Sequence, residues 1–448
     1  MKKAAITVLV LAVVFGLLQL VRPSIPSKPA TAEVQAPAEV RQVLEKGCYS
    51  CHSDERKLAW FDEIVPAYWL VRHDVLTARE HLNFSTLGSE PAAAQRAALF
   101  EATNMIQLGA MPLPSFQMAH QEARLTPEDL AVLKNYLAPW SVPPPPAAAT
   151  AQNAMQAPVK LETIQPELNG LAFDAGFEGW KLLSVTDRGD NNTLRVILGN
   201  DATQQAAQSG SLSPWPDGAR IAKIAWQQAT GEDGLIHPGS FVQVELMVKD
   251  HAHSQATEGW GWGRWRGLDL KPYGTNAGFV NECTSCHLPV KGNDYVYTLP
   301  ITSTAASGAE VVNQRAAALP AGLPYQPMGW SVITLYADQE RRTTAVLFGN
   351  AEAMKAVSAR GTMPQTSQYP AGAVLALVTW AQRDDPHWFG ARIPDAPLSV
   401  EFVTAGAAGE PGSYRQFAGT GLAEKQSAAQ DAQQRIRFMQ GLTPAQLP

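Results

Sequence analysis

Charge is scarce in this chain. Lys, Arg, Asp and Glu make up 17% of its 448 residues, against roughly 25% in an average soluble protein. The 35 basic and 41 acidic side chains leave a formal net charge of −6. That balance disfavours a nucleic-acid partner, because binding a phosphate backbone needs a basic surface. Long hydrophobic runs are also rare, with one near the N-terminus and no second one like it. Cysteine is rarest of all, at 4, and its placement carries most of the information. What is abundant is apolar and turn-forming sequence: 45% hydrophobic residues, 12 Trp, 34 Gly and 33 Pro. The chain is therefore globular and rich in turns, and its length rules out one small domain.

Lys2 and Lys3 precede the apolar run from Ala4 to Val21, the layout of a charged head followed by a hydrophobic stretch that addresses a chain to a membrane. The run has 18 residues, just enough for a spanning helix. The small-residue stretch Ala30, Thr31, Ala32 is distant for a signal-peptidase site. Residues 1–22 are therefore expected to be a retained anchor, with a cleaved signal peptide as the alternative, the lysines in the cytoplasm and the rest of the chain in the periplasm at the inner membrane.

Every cysteine lies in one of two Cys-x-x-Cys-His pentads, Cys48 to His52 and Cys283 to His287. This is the c-type haem attachment pattern. Two thiols add to the two vinyl groups on one porphyrin edge, and the next histidine is placed to reach the iron. A thioredoxin-like pair has no need of that histidine. A structural zinc site would want its two halves close in sequence, whereas Cys51 and Cys283 are 232 residues apart. Two covalent haem c groups are expected, on Cys48 and Cys51 with His52, and on Cys283 and Cys286 with His287.

Between and after the pentads the pattern changes. Val40, Val43 and Leu44 share one helical face before the first pentad, and Pro127 to Tyr136 reads as a capped amphipathic helix. Proline and alanine dominate 143–158, a semi-rigid spacer. Beyond it, Thr193 to Leu198, Ile221 to Trp226 and Phe241 to Val248 read as short strands. This sheet-forming sequence occurs twice. Gly179-Trp180, ending in VILGN at 196–200, recurs 150 residues later as Gly329-Trp330, ending in VLFGN at 346–350. DGARIAKIAW at 217–226 is answered by AGAVLALVTW at 371–380. The second copy has no cysteine, and has Ala345 for Arg195 and Leu377 for Lys223. It is read as a haem-free copy with a packing or dimerisation role, and 422–442 reads as an amphipathic helix.

The sixth ligand of the first iron has several candidates. Met111 sits in the rigid loop Gly109-Ala110-Met111-Pro112-Leu113-Pro114, and His73, His81 and His120 are the alternatives. Met111 is the expected one. The strings CYSCHS (48–53), WLVRHDV (69–75), REHLNFS (79–85) and GAMP (109–112) resemble the haem-binding domain found beside other c-type cytochrome modules. That resemblance implies haem and electron transfer.

The strings NNTLRVILGN (191–200), PWPDGARIAK (214–223), VELMVKD (244–250), GWGWGRW (259–265) and CTSCH with DYVYT (283–298) resemble cytochrome P-460 and its relative cytochrome c′-beta. Members are five-coordinate haem c proteins built on an antiparallel sheet. The resemblance implies that His287 is the proximal ligand, that Lys223 matches the lysine joined to the porphyrin edge in hydroxylamine-oxidising members, that Glu245 matches a pocket carboxylate and Arg195 a pocket arginine. The chemistry is sensible: a carboxylate accepts protons from coordinated N–H or O–H groups, an arginine donates hydrogen bonds to substrate or holds that carboxylate, and a lysine attacks only as the neutral amine that burial favours. Read without the resemblance, Lys223 is more often a snorkelling surface lysine, and Glu245 fits a solvated strand face and Arg195 a surface ion pair. Members are single-domain, and this chain adds two further modules.

The expected fold class is α+β: a helical haem c domain over 38–140, a Pro/Ala-rich linker over 141–160, an antiparallel-sheet P-460-like domain over 161–305 and a degenerate, haem-free repeat over 320–448. The expected function is a dihaem cytochrome, an oxidoreductase acting on hydroxylamine or a related small nitrogen species at the open second haem and passing electrons through the first to a cytochrome or membrane acceptor. The alternatives are a nitric oxide-binding protein and a plain electron carrier. A homodimer is a further expectation.

Overall fold

The computed structural model describes residues 2–55, 57–141, 161–302, 314–360, 369–406 and 412–448. They form two compact units, Met1–Trp140 and Ser141–Pro448. The expected spacer lies outside the described residues from 142 to 160.

The first unit is helical: α1 (Lys2–Leu18), α2 (Ala38–Gly47), α3 (Tyr49–His52), α4 (Ala67–His81), α5 (Ala92–Gln107), α6 (Pro114–Ala119) and α7 (Pro127–Leu137). Val40, Val43 and Leu44 of α2 are buried, as their spacing predicts. The α7 N-terminus is held by a capping box in which Thr126 Oγ1 accepts from the Asp129 N–H and an Asp129 carboxylate oxygen accepts from the Thr126 N–H. The expectation of a spanning anchor is not supported. Among the described residues no helix is long and apolar enough to cross a membrane. Helix α1 ends after 17 residues, about 26 Å at 1.5 Å per residue, short of a hydrocarbon core of about 30 Å. The residues that follow belong to the helical unit. Gln19 exchanges two hydrogen bonds with the Val65 backbone, Tyr68 Oη donates to Pro23 O, Trp69 Nε1 donates to Val21 O, and Ile25 is buried.

The second unit contains β1 (Lys181–Arg188), β2 (Thr193–Gly199), α8 (Asp201–Ser209), β3 (Arg220–Thr230), β4 (Ile236–Lys249), β5 (Trp260–Arg266), β6 (Lys271–Pro272) and α9 (Val280–His287). The same order returns as β7 (Ser331–Asp338), β8 (Thr343–Gly349), α10 (Ala351–Arg360), β9 (Val374–Asp384), β10 (Ala391–Thr404) and β11 (Ser413–Ala418), followed by β12 (Ala423–Lys425) and α11 (Ala429–Gly441). The internal duplication extends to backbone irregularity, since the bulge at Leu182/Ser184 recurs at Val332/Thr334. All strand pairs are antiparallel, so the α+β class holds. The two repeats, however, are not separate sheets. The order β1-β2-β3-β4-β7-β8-β9-β10 closes through a β1–β10 pairing into an eight-stranded barrel to which each repeat gives four strands. The sequence boundary between 305 and 320 is thus no boundary in the sheet.

Alternation along the strands explains the two faces. Leu194, Val196, Ile224, Trp226, Val244 and Leu246 point inward and share one core with Val346, Phe348, Val378, Trp380 and Phe402 of the other repeat. The seams are short in register, Ile236↔Ala337 on one side and Asp187↔Arg392 with Arg188↔Ala391 on the other. Buried Asp187 reinforces the second seam. Its carboxylate accepts from Gln228 at 2.6 Å, Gln339 at 2.7 Å and Gln382 at 2.9 Å, which offsets the cost of burying it.

The outer faces of the repeats are used differently. On the first, Leu183, Ile197, Ile221 and Trp262 pack under Phe279 and Cys283 of the second pentad segment. On the second, Ile333, Ala345, Leu347, Leu375 and Leu377 pack under Ile436 and Met439 of α11. The amphipathic helix expected over 422–442 begins at Ala429, because Ala423–Lys425 pair with β11 as an edge strand. Its polar anchor is Arg435, which grips buried Glu401 with two hydrogen bonds of 2.7 Å. The outer face of the second repeat is therefore covered by a helix of the same chain.

Because the core is shared, a chain ending at Thr302 is expected not to fold beyond its helical unit. Circular dichroism and chemical denaturation check this, and a cooperative β-sheet transition in the truncated chain would contradict a barrel closed by both repeats.

Candidate functional site

The second pentad lies on α9, which brings Cys283, Cys286 and His287 to the outer face of the first repeat. His287 Nδ1 lies 2.7 Å from Tyr295 O. The carbonyl accepts a proton from Nδ1 and leaves Nε2 for a metal. The ring is boxed edge-on by Trp262 at 4.6 Å and Tyr297 at 5.0 Å. Burial takes the imidazole down to about 4, so it is neutral, the ligating form.

Strand register sets a row of charge beside it. Lys223 on β3 is the direct partner of Glu245 on β4, and Glu245 of Arg264 on β5. Direct partners project on the same face, and all three are on the outward phase. Lys223 Nζ and a Glu245 carboxylate oxygen form an ion pair. Arg264 Nε lies 2.9 Å from the other oxygen and Arg264 Nη1 3.5 Å from Glu282, while Gln243 donates to Glu245 at 2.5 Å. Burial works against the Glu245 charge, but Lys223 and Arg264 outweigh it and hold the carboxyl far below its usual range. Burial pushes the Lys223 amine from 10.5 down to about 8, with Glu245 pulling the other way and Arg195 adding to the shift. Burial also pushes the Cys283 thiol up to about 11, and Lys223, Glu245 and Arg264 all act on it. The Arg264–Glu282 ion pair and the packing of Cys283 with Trp262 and Ile221 put the row and the pentad on one face.

Arg195 stands on the next outward position of β2, with Nε donating to Thr193 Oγ1 at 3.0 Å. Burial, then the charge of Arg188, press against its guanidinium. An arginine stays protonated, so this is stress that an anion relieves. Sequence reasoning found Lys223, Glu245 and Arg195 but missed Arg264, Glu282, Arg188 and Asp190. Arg264 was hidden in the Trp-rich run; counting register across β4 and β5 identifies it.

These residues fit a haem. Two thiols and a neutral histidine form the attachment set, and none of the four cysteines is in a disulfide. Lys223, Glu245 and Arg264 are surrounded by protein yet keep 30%, 16% and 21% of their side-chain surface, as groups lining a cleft do. Trp262 Nε1 is buried beside His287 with no acceptor.

At the first pentad, His52 Nδ1 lies 2.9 Å from Leu82 O, the same arrangement as at His287. Burial pushes the Cys48 thiol up to about 12 and the Cys51 thiol to about 11. His120 has both ring nitrogens engaged, by Asp62 at 3.0 Å and Glu122 at 3.1 Å, and stacks on Phe116. It is a structural histidine. His73 and His81 are exposed on α4. Met111 is half-buried in the loop after α5, its N–H donating to Met105 O.

Comparison with known families matches residues 10–139 to a haem-binding domain and residues 174–298 to Cytochrome P460. No curated protein matches the chain.

The geometry predicts how Lys223 titrates. Glu245 raises its pKa, so in protein prepared without haem, where Lys223 is a free amine, Glu245→Gln is expected to move the Lys223 titration below about 8. NMR of isotope-labelled lysine Cε carbons reads this, and an amine titrating near the ordinary 10.5 in the haem-free protein with Glu245 in place would contradict the buried pair.

Proposed function

Since this chain joins a haem-binding domain to a cytochrome P460 domain, making it a c-type cytochrome, we propose that it is a dihaem oxidoreductase of the periplasm that removes electrons from hydroxylamine or a related small nitrogen species. The observation that carries the proposal is the row Lys223, Glu245, Arg264 beside the neutral His287. Cys283 and Cys286 would hold the second haem by thioether bonds, with His287 ligating its iron. Cys48, Cys51 and His52 would hold the first, with Met111 as a further protein ligand of its iron. When bound, the second haem supplies an iron with a face for the substrate nitrogen and accepts the electrons removed from it.

The protein's residues then have distinct tasks. Lys223, pushed down to about 8, is in part the neutral amine at mildly alkaline pH, the form that bonds to a porphyrin edge. A C–N bond from that amine to the porphyrin edge would replace one edge C–H and one N–H, with the two electrons going to an oxidant such as a peroxide; it would remove the strongest hold on Glu245 and make the carboxylate a better proton acceptor for the N–H and O–H protons released on oxidation of substrate. Arg264 keeps Glu245 oriented. Arg195 offers a hydrogen-bond donor to an oxygen of substrate or product. The charged head and apolar run of residues 2–21 support export to the periplasm, and a cytochrome or a membrane acceptor would take the electrons from the first haem.

One observation favours a second reading, nitric oxide binding without turnover. Glu245 is held by two cations at once, and a carboxylate so held is a poor base unless Lys223 is consumed. The absorption spectrum of the dithionite-reduced protein separates the two. A strongly red-shifted Soret band beside an ordinary haem c band, lost in Lys223→Ala together with hydroxylamine-dependent reduction of an electron acceptor, is expected. Ordinary haem c bands in both proteins, without turnover, would overturn hydroxylamine oxidation and leave gas binding.

A further inference from the structure

The haem-free repeat reaches the haem site of its partner repeat. The turn joining β9 to β10 is anchored where the barrel closes, by the pairing of Arg188 with Ala391 and a hydrogen bond from Gly189 N to Gly390 O at 3.0 Å. From there two side chains lie against the first repeat. His387 Nδ1 is 3.2 Å from Tyr297 O. The Trp388 ring meets the Tyr297 ring edge-on at 5.6 Å, and Tyr297 in turn meets His287 at 5.0 Å.

Trp388 makes two more contacts, with the two members of a buried ion pair. The Arg188 guanidinium lies 4.3 Å over the indole ring, and the indole Nε1 donates to Asp190 Oδ2 at 3.2 Å. Arg188 and Asp190 grip each other with hydrogen bonds of 2.6 and 2.5 Å and are 7% and 8% exposed. Asp190 thus has its charge spent on Arg188 and Trp388. Arg195 stands beside this pair, since Thr193, the strand partner of Arg188, accepts from Arg195 Nε and donates to Asn191 Oδ1, the residue after Asp190; among the described residues the Thr193 hydroxyl is the hydrogen-bond acceptor of Arg195.

We propose that the haem-free repeat completes the second haem site: Trp388, supported by His387, keeps Asp190 on Arg188 and away from Arg195, so that the Arg195 charge stays available to a small anionic ligand in the pocket. Trp388 is a positioning residue. If it is removed, Asp190 loses an N–H donor and Arg188 its aromatic platform. Asp190 is then free to turn to Arg195, the neighbouring cation that lacks a carboxylate, and neutralise it. A neutral ligand is indifferent to that change; an anion is not.

The inference rests on the proposed open haem at His287, and the test separates the two. Cyanide, held as an anion by the ferric protein, and carbon monoxide, a neutral ligand of the ferrous protein, are titrated spectroscopically into the unsubstituted holoprotein, Trp388→Leu, Trp388→Phe and the double variant Trp388→Leu/Asp190→Asn. Trp388→Leu is expected to weaken cyanide roughly tenfold with carbon monoxide unchanged. Trp388→Phe, which keeps the platform and loses the N–H, should fall between. Asp190→Asn in the Leu background should restore cyanide affinity, since an amide cannot neutralise Arg195. Unchanged cyanide affinity in Trp388→Leu, an equal loss for both ligands, or no rescue by Asp190→Asn would overturn the inference. If the unsubstituted protein binds neither ligand, it is the open haem that fails.

Discussion

The ion pair between Lys223 and Glu245 follows from strand register, and the chemistry of the second unit depends on it. Residues directly opposite each other on neighbouring strands share a face. Once β3, β4 and β5 are aligned, Lys223, Glu245 and Arg264 must project together, on the face away from the barrel core. Burying one of these charges alone would be costly. Burying them together keeps Glu245 ionised and leaves Lys223 poised about the neutral amine. A slip of one residue would send all of them into the apolar interior. The alternation of Ala222, Ile224, Val244 and Leu246 on the core side excludes that slip.

Duplication explains why this face exists twice and is used once. The second repeat presents Glu401 opposite Leu377, as the first presents Glu245 opposite Lys223. With no cysteine pentad, the second face is closed by α11, whose Arg435 partners the surviving carboxylate and whose Ile436 and Met439 cover the apolar strands. The carboxylate is the constant feature; what covers it differs. The reciprocal contribution is the β9–β10 turn, which carries Trp388 to the first repeat's Arg188 and Asp190. The haem-free half closes the barrel and also shapes the neighbourhood of His287.

Much of this was legible in sequence because it is written in local patterns. The pentads are five-residue motifs, the repeat shows as recurring strings, and the strands show as alternation. Lys223, Glu245 and Arg195 came from matching strings. What escaped depends on contacts between distant segments. Barrel closure rests on Ile236 with Ala337 and Asp187 with Arg392, pairs that no local pattern marks. Arg264 sits among tryptophans, of which Trp265 is core and Trp262 faces His287, and only the register across β4 and β5 sets it beside Glu245. The anchor expectation is not supported, because among the described residues no helix is long and apolar enough to cross a membrane: α1 stops at Leu18, and Gln19 bonds to the Val65 backbone.

The most direct test of the account is peptide mapping of the purified protein by mass spectrometry, since the central claim is that Lys223 and the second pentad face one haem. The account predicts a single haem peptide in which the segment carrying Lys223 is joined through the porphyrin to the segment carrying Cys283 and Cys286. A Cys283–Cys286 haem peptide accompanied by an unmodified Lys223 peptide would contradict it.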